Sequence, residues 1–474
     1  MSLSQKIVIP AKAGIQYLKR ILEGRLPSWT PAFAGVTAVM CFAFISLFPA
    51  APLAADSLYL ELSAKGEKTD LGLGAITTDR GAPPSSGDLF QTLKNDLDTA
   101  GLFHLIEGGP SEGTPKAAAE WARLGADVVS VGKVEKALFG RVQFSGELLD
   151  ANSGQTVFAK KFLMDDGARR VAHRWADEIV RYFTGQPGIA ASRIVFVNDA
   201  TGKKEVCAVD ADGENFQRLT NDRSIALFPK LSPDGEWIIF TSFRGGRPSI
   251  DRMRSDGRDR TTLCRFEGLN SAAAWMPDGK SIVATLSDGR SPNLYQVDLE
   301  GRVILTLTNS PAVDTAPTVS PDGLRLAFTS DRPGTPQIYL IDATGANLRR
   351  AVTGPLADSP HWSPLGHLIV FTQLEKKFFD LWTLEVATGK ASRLTYGEGD
   401  NENASWSPDG RHLVFSSTRG GRPELWVMGA DGSTPRRLLK KETNVSLGTN
   451  VPHGTNVPSG TNVPGRSFTP HWGQ

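Results

Sequence analysis

Short hydrophobic and β-branched runs alternate with turns rich in Gly, Pro and Asp from residue 194 onward. Runs such as 237–240, 326–328 and 413–415 each begin just after a Ser-Pro-Asp-Gly turn. In such a turn Pro sets φ, Asp tolerates the next position and Gly accepts a positive φ. Short runs with these boundaries predict β-strands joined by tight turns, so this region is expected to be all-β.

The turn recurs at a nearly constant spacing. Its closing glycines lie 44, 44, 43 and 44 residues apart, at Gly235, Gly279, Gly323, Gly366 and Gly410. A period in the forties with several strands per unit is typical of a β-propeller. Each complete unit contains four strand-like runs, which is the number of strands in one blade.

The first unit, which starts at residue 193, lacks a first strand, and the C-terminal region offers one. Residues 468–472 (FTPHW) align with residues 358–362 (DSPHW). We therefore predict a six-bladed propeller over residues 188–474, closed by strand 468–472, because closure removes an open sheet edge. Residues 443–465 repeat Gly-Thr-Asn-Val-Pro and are interpreted as a low-complexity insertion in a surface loop, where added length costs little.

Residues 56–187 show helical spacing as well as alternation. Leucines recur at every fourth position within 88–100, which predicts an amphipathic helix. Thr114 followed by Pro115 predicts the start of a second helix, with an N-cap and a proline in the first turn. Three strand-like runs and a last helical pattern follow, at 127–131, 141–149, 156–162 and 168–183. This mixed order predicts a small α/β domain in front of the propeller.

Residues 1–55 are interpreted as an N-terminal extension and signal peptide. Residues 36–48 form an apolar stretch of signal-peptide length, with basic residues upstream and Ala54 and Ala55 just before Asp56. The alternative is an uncleaved membrane anchor, for which the stretch is short. We therefore expect an exported chain.

The net charge is +1, from 52 basic and 51 acidic residues, which does not favour binding to nucleic acid or anionic membranes. Outside the apolar N-terminal run, the cysteines are Cys207 and Cys264, and no Cys-x-x-Cys motif occurs. A disulfide between them is one alternative in an oxidising compartment. The other, which their strand-like surroundings favour, is that each thiol is a small buried hydrophobe.

Two patterns were weighed as sites of chemistry. Residues 109–113 match Gly-x-Ser-x-Gly, with Ser111 in the nucleophile position, but a nucleophile elbow needs a sharp strand-to-helix turn and a nearby triad. His361 and His471 occupy equivalent inner-strand positions, yet a metal site needs several converging ligands. The corresponding residues of the other units are Lys230, Ala274, Thr318 and Ser405. We therefore predict no catalytic residue, cofactor or metal.

In its order of signal segment, α/β domain and six blades with Trp-Ser-Pro-Asp-Gly-type turns, the chain resembles the TolB family of the Tol–Pal cell-envelope system. The resemblance covers residues 56–474, and the stretch 172–185 leading into 193–197 is similar to that family's domain junction. Similar blades occur in prolyl-oligopeptidase-like peptidases and some polysaccharide lyases. A peptidase would need an added hydrolase domain with a triad, for which the sequence leaves no room.

The resemblance implies a periplasmic scaffold rather than an enzyme. Such proteins bind the peptidoglycan-associated lipoprotein Pal over the propeller channel and contact TolA through the mature N-terminal segment. The system maintains outer-membrane integrity and supports cell division, and in some species bacteriocins enter through it.

The resemblance also implies which residues bind the partners. The lipoprotein contact falls on loops that lead into inner strands, at Leu269, Asn270, Ser271, Ala272, Asp314 and Thr315, and by blade equivalence at Asp358, Ser359, Glu402 and Asn403. The chain departs from the family at Leu269, where the family has a histidine. The TolA contact falls on Asp56, Ser57, Leu58, Tyr59, Leu60, Glu61 and Leu62. The alternatives are ordinary polar loops and an ordinary edge strand.

Overall fold

The computed structural model describes residues 68–79, 86–165, 167–439 and 465–473. The predicted signal segment 1–55, the segment 56–62 and nearly all of the predicted insertion 443–465 lie outside the described residues. Within those ranges, an α/β domain is followed by six four-stranded sheets, so the predicted fold class is confirmed.

The α/β domain is built on one mixed sheet. Its strands are β1 (Thr69–Leu73), β2 (Thr77–Thr78), β3 (Phe103–Ile106), β4 (Val128–Lys136), β5 (Val142–Asp150) and β6 (Thr156–Leu163). Its helices are α1 (Ser86–Ala100), α2 (Pro115–Arg123) and α3 (Ala168–Thr184). The sheet order is β3-β1-β4-β5-β6, with β2 also paired to β4. Strand β1 runs parallel to β3 and β4, whereas β4, β5 and β6 form antiparallel pairs.

The helix ends follow from local chemistry. The Thr114 side chain accepts a hydrogen bond from the backbone N–H of Ala117, and Pro115 occupies the first turn of α2, as the sequence predicted. Helix α3 ends at Gly185, whose φ of 70° is accessible to glycine at little cost. These local signals are independent of the rest of the fold, which is why they could be read from the sequence.

Two tryptophans hold the helices against the sheet. Trp121 of α2 and Trp175 of α3 are fully buried. A Cβ atom on Gly72 would lie 2.7 Å from the Trp121 ring, and one on Gly146 would lie 2.6 Å from the Trp175 ring. Because no real Cβ approaches so closely, glycine is required at both sheet positions for the helices to pack.

Each propeller blade is a four-stranded antiparallel sheet. Blade 1 contains β7 (Arg193–Asn198), β8 (Glu205–Asp210) and β9 (Gln217–Arg218). Blade 2 contains β10 (Ala226–Leu231), β11 (Trp237–Ser242), β12 (Ser249–Arg254) and β13 (Thr261–Cys264). Blade 3 contains β14 (Asn270–Trp275), β15 (Ser281–Leu286), β16 (Asn293–Asp298) and β17 (Val303–Thr306).

The remaining blades repeat this arrangement. Blade 4 contains β18 (Asp314–Val319), β19 (Arg325–Ser330), β20 (Gln337–Asp342) and β21 (Arg349–Arg350). Blade 5 contains β22 (Ala357–Trp362), β23 (Leu368–Glu375), β24 (Phe378–Glu385) and β25 (Ala391–Arg393). Blade 6 contains β26 (Asn401–Trp406), β27 (His412–Ser417), β28 (Glu424–Gly429) and β29 (Arg436–Arg437). The last strand, β30 (Ser467–Gly473), joins blade 1.

Strand β30 closes the ring. It pairs antiparallel with β7, with Trp472 opposite Ile194, and it lies between β26 and β10, the inner strands of the two neighbouring blades. The Trp472 indole N–H donates to the Ser192 hydroxyl over 2.8 Å. The ring is thus closed by a blade whose strands come from the two ends of the propeller sequence.

The Ser-Pro-Asp-Gly turn is held by its own side chains. The Ser232 hydroxyl donates to the Asp234 carboxylate over 2.5 Å and accepts the backbone N–H of Trp237 over 2.9 Å. Gly235 closes the turn with a φ of 70° and donates its N–H to the Ser232 carbonyl. The Ser-Pro-Asp-Gly turn therefore forms from its own residues. Because it joins the first and second strands of a blade, the distance between successive turns equals the length of one blade in residues.

The two described cysteines are free thiols. Cys207 and Cys264 are each 1% exposed and pack in separate hydrophobic clusters between blades. Burial raises the pKa of the Cys264 thiol to about 12, and burial also raises that of Cys207. Of the two alternatives, the structure therefore has the buried hydrophobe rather than the disulfide.

Helix α3 joins the α/β domain to the propeller. Arg169 in its first turn forms ion pairs with Asp210 and Asp212 of blade 1. Further along the helix, the Asp177 carboxylate accepts the backbone N–H groups of Ala190 and Ala191, over 2.7 and 3.0 Å. A buried carboxylate therefore orders the connection between the two domains.

Asp177→Asn is expected to remove a pH-dependent part of the stability. Burial raises the pKa of Asp177 to about 6, against the opposing effect of its two backbone hydrogen bonds. A carboxyl whose pKa is higher in the folded state binds a proton on folding, so this group's contribution falls as pH rises from about 4 to 6. The melting temperature of the variant should rise relative to that of the wild type between about pH 4 and pH 6. Above pH 7 the difference between the two melting temperatures should be constant.

The control is Asp259→Asn, which removes a carboxylate whose side chain is 70% exposed. A difference between wild type and Asp177→Asn that stays constant from pH 4 to 7 would contradict the prediction.

Candidate partner-binding face

All six inner strands begin with the same irregularity. In each, the pairing register with the second strand shifts after the second residue, which marks a β-bulge. The third residue has a positive φ between 40° and 54° in every case. These third residues are Phe228, Ala272, Ala316, Ser359, Asn403 and Thr469. The openings of the six inner strands, from the preceding loop to this third residue, are called the channel face below.

The repeated bulge costs conformational free energy. A residue other than glycine in the left-handed region is unfavourable by about 1 kcal/mol or more, and such strain persists where the surroundings hold it and often marks a functional site. A bulge also changes the direction of the side chains beside it. The same distortion repeated six times therefore presents the first three residues of each inner strand in one fixed arrangement around the channel mouth.

The predicted residue Asn270 is the first residue of β14 and is fully buried. Its amide donates to the carbonyls of Phe266, Gly268 and Pro248, and its oxygen accepts the Phe266 N–H over 2.8 Å. Asn270 therefore holds the loop that carries Leu269, and its own amide has no surface to offer a partner. We assign it a positioning role.

Asp314 has the equivalent position in β18 and is likewise buried. Its carboxylate pairs with Arg332 over 2.7 Å, and Arg332 also donates to the Ser330 hydroxyl. In blade 6 the amide oxygen of Asn401 accepts from Arg419 over 2.8 Å in the same way. This first position is therefore an internal anchor in several blades.

The second position brings predicted residues to the surface. Ser271, Thr315, Asp358 and Glu402 are all partly exposed there. Each of the first three is in contact with a threonine of the preceding blade: Thr241 lies 3.3 Å from Ser271, Thr285 3.5 Å from Thr315, and Thr329 2.7 Å from Asp358, measured between side-chain oxygens. These threonines were missed by sequence reasoning, although their shared place in the second strand of each repeat was a usable signal.

The third position lines the channel mouth. Ala272, Ser359 and Asn403 border a cavity of about 60 Å³ at the start of the channel. The Ser359 hydroxyl donates to the Asn403 amide oxygen over 3.2 Å, across the gap between two blades. The structure therefore brings the predicted third-position residues of blades 3, 5 and 6 around one opening, to which blade 4 contributes Ala316.

The channel face is chemically uneven. Burial raises the pKa of Glu402, and the nearby negative charges of Asp400 and Asp358 raise it further, so blades 5 and 6 present an acidic sector. Blades 1 and 2 instead present the partly exposed side chains of Phe468 and Leu227 at the second position. Sequence reasoning missed this apolar sector, although the repeat alignment places both residues at the same position as Glu402.

A cluster of potential metal ligands lies away from the channel face. Asp96, His173 and Asp212 place one ligand atom each within 4.8 Å of one another, at the contact between domains. The guanidinium of Arg169 already pairs with Asp212, so the cluster has its own cation. Burial opposes the charged form of His173, but its 2.7 Å hydrogen bond to Asp96 and the charges of Asp96 and Asp212 outweigh burial and raise its pKa.

Ser111 lies in the loop between β3 and α2 and not on a sharp strand-to-helix turn. The groove beside it, of about 440 Å³, is lined by residues that include Lys133, Glu135 and Glu147 but no histidine among those described. The Ser111 motif therefore lacks the geometry of a nucleophile elbow.

Both domains match known protein families. Residues 68–157 match the model of the TolB amino-terminal domain, and residues 180–451 match that of the TolB β-propeller domain. The chain belongs to the TolB family.

Individual TolB relatives agree with this assignment. The chain is 36% identical over 191 residues to the Tol-Pal system protein TolB of Anaeromyxobacter dehalogenans, covering 38% of this chain and 43% of that protein. It is 33% identical over 222 residues to the TolB homolog of Chlorobium chlorochromatii, covering 45% and 50%. The chain thus spans half or less of the length of these curated relatives.

A solved TolB structure matches over a longer stretch. The crystal structure of TolB from Acinetobacter baumannii superposes with a TM-score of 0.69 at 26% identity, covering 86% of this chain and 96% of that one. Among the described residues, no helix has the length and apolar character that crossing a membrane requires.

Asn270→Ala is expected to destabilise the protein by about 2 kcal/mol, because it leaves buried carbonyl groups and an N–H of the 266–268 loop without partners. Ser271→Ala is the matched control, since it removes one contact with Thr241 and should cost about 0.5 kcal/mol. The midpoints of urea unfolding measure both. Equal shifts for the two variants would show that Asn270 is not an internal anchor.

Proposed function

We propose that this chain is a non-catalytic periplasmic scaffold of the Tol–Pal system that binds the lipoprotein Pal at its channel face. Membership of the TolB family supports a role in this system. The observation that carries the proposal is the bulged opening repeated in all six inner strands, which directs side chains of every blade toward one channel mouth. Loops on a rigid scaffold are common sites of binding.

The side chains of the channel face suit recognition of a folded partner. Hydroxyl groups at Ser271 and Thr315 lie in blades 3 and 4, and carboxylates at Asp358 and Glu402 lie in blades 5 and 6. The internal anchors Asn270 and Asp314 hold the loops in place before any partner arrives. Binding to a preorganised surface costs less ordering entropy, so a modest contact area is sufficient for specific binding.

The remaining predicted contacts complete the proposal. Leu269, Ala272, Ser359 and Asn403 flank the second-position residues and are proposed to contact Pal together with them. Leu269 offers an apolar contact where the family has a histidine, so this part of the Pal contact is expected to differ. The segment 56–62 is proposed to bind TolA after signal-peptide cleavage.

The cellular role follows from bridging these partners. A scaffold that binds Pal and TolA would connect the outer and inner membranes, maintain outer-membrane integrity and support cell division. Bacteriocins that enter through the system would be further ligands. The apolar stretch 36–48, followed by Ala54 and Ala55, supports export to the periplasm.

The double variant Asp358→Asn, Glu402→Gln is expected to weaken Pal binding by about ten-fold, because truncating charges at a complementary interface typically costs 1–2 kcal/mol or more. Calorimetric titration of the full chain with the soluble domain of Pal measures the effect. The matched control is Asp259→Asn, Glu300→Gln, which neutralises two exposed carboxylates on outer turns. Equal affinities of the two double variants for Pal would refute the proposal that Pal binds at the channel face.

Tyr59→Ser combined with Leu60→Ser is expected to abolish TolA binding and to leave Pal binding unchanged, since the two contacts lie on separate segments. Phe139→Ser is a suitable control, because this aromatic side chain is 99% exposed on the β4–β5 hairpin. Capture of TolA and Pal on immobilised full chain measures both. Undiminished TolA capture by the double variant would refute the assignment of segment 56–62.

A further inference from the structure

The fifth residues of five inner strands line the channel, namely Lys230, Ala274, Thr318, His361 and His471. The fifth residue of β26, Ser405, is buried outside the lining. Two cavities border this ring, one of about 60 Å³ toward the channel face and one of about 330 Å³ toward the opposite mouth. Lys230 and His361 line both cavities, so they lie where the two meet.

Among the residues that the structure describes, the Lys230 ammonium group has no counter-ion and no hydrogen-bond partner. The Lys230 backbone carbonyl accepts the indole N–H of Trp275 over 3.1 Å. The described residues that line the two cavities include no carboxylate. Asp358 lies three residues before His361 on β22, and Glu402 lies three residues before Ser405 on β26. Neither carboxylate residue lines either cavity. Burial lowers the pKa of Lys230 to about 8, which expresses the cost of an unpaired ammonium group.

The Nδ1 atoms of both channel histidines accept a backbone N–H, and the Nε2 atom of His361 also lies 3.5 Å from the Ser405 hydroxyl oxygen. The Nδ1 atom of His471 accepts the backbone N–H of Leu231 over 3.2 Å, and that of His361 accepts the backbone N–H of Trp406 over 3.5 Å. A neutral imidazole that accepts at Nδ1 carries its proton on Nε2. Burial and the charge of Lys230 hold the pKa of both rings well below its usual range, so they are neutral near pH 7.

This tautomer distinguishes between two kinds of ligand. A metal ion needs a free nitrogen lone pair, and in both rings the Nδ1 lone pair is taken by a backbone N–H. An oxyanion needs N–H donors and positive charge, and both are present. The rings of His361 and His471 lie 5.4 Å apart, and Thr318 lines the larger cavity beside them. The Ser405 hydroxyl is buried outside both linings and accepts the Trp472 backbone N–H over 3.1 Å.

We propose that the propeller channel contains an oxyanion-binding site, in which the Lys230 ammonium and the Nε2–H group of His471 bind a phosphate-like or carboxylate group, with the His361 ring beside them. Charge-assisted hydrogen bonds of this kind are stronger than neutral ones. The bound anion would supply the missing counter-ion and would favour protonation of the two rings. The site lies inside the channel and does not depend on Pal binding at the channel face.

Calorimetric titration of the full chain with inorganic phosphate tests the site directly. We expect saturable binding by the wild type and a loss of at least ten-fold in affinity for Lys230→Met, which keeps the apolar part of the side chain. Lys280→Met is the matched control, because Lys280 is exposed on the turn after β14. The Lys280→Met variant should bind phosphate with the affinity of the wild type. Absence of saturable binding, or equal affinities for wild type and Lys230→Met, would overturn the proposal.

A second variant separates anion binding from a purely structural role of the histidines. In His471→Asn the amide oxygen can still accept the Leu231 N–H, but the Nε2 donor is lost. We expect an unchanged melting temperature and phosphate binding weakened several-fold. Wild-type affinity in this variant would exclude His471 from the site and overturn the arrangement proposed here.

The pH dependence provides a readout that a structural role would not change. The titratable groups facing the anion are Lys230 of β10, His361 of β22 and His471 of β30, whereas the fifth residues of β14, β18 and β26 are Ala274, Thr318 and Ser405, which do not titrate. Sulfate does not titrate near neutrality, so any pH dependence of its binding comes from the protein. Sulfate should bind more tightly at pH 6 than at pH 8, and binding should take up protons. Titrations in buffers of different ionisation enthalpy measure this proton uptake. Binding of acetate as well as phosphate would indicate a carboxylate ligand, and phosphate alone a phosphate-type ligand. Proton release on sulfate binding would contradict the site.

Discussion

The antiparallel pairing of β30 with β7 is the constraint on which the rest of the propeller depends. It joins segments from the two ends of the propeller sequence into one blade and sets Trp472 opposite Ile194. Without it, β7 would be an unpaired inner edge, and β10 and β26 would lose the neighbour against which each packs. The channel has its present width and lining only because the ring is closed at this strand.

Closure lets each inner strand divide its residues among separate tasks. The bulge after the second residue directs the third residue to the channel mouth, the fifth residue of every inner strand except β26 lines the channel, and the sixth packs between blades. Trp275, Trp362 and Trp406 are buried at this sixth position. One short strand thus contributes to the channel face, to the proposed oxyanion site and to the core. These roles are separable by mutation because the side chains point to different surroundings.

The channel face combines internal anchors with accessible groups. Asn270 and Asp314, at the first position of their strands, bond internally to the 248–268 region and to Arg332. Ser271, Asp358 and Glu402, at the second position of blades 3, 5 and 6, are partly exposed. Rigid loops reduce the entropy that a partner must overcome on binding. The acidic sector of blades 5 and 6 adjoins the apolar sector of blades 1 and 2, because blade 6 is the neighbour of blade 1. Both sectors lie at the mouth of a channel with a cationic interior, so a partner at the mouth and an anion inside the channel would contact different side chains.

The sequence by itself determined the fold class, the blade period and the helix ends, because these depend on signals within a few residues. The turn at 232–235 is closed by its own serine, aspartate and glycine, and the N-cap at Thr114 needs only the following turn of α2. Tertiary structure alone decided that Asn270 is buried, that the threonines of one blade contact the next, and that the Lys230 ammonium has no counter-ion among the described residues. The Thr241–Ser271 contact joins residues 30 positions apart, and the channel around Lys230 also needs His471 from the end of the propeller sequence. Such contacts depend on how whole blades pack, which no signal within a few residues specifies.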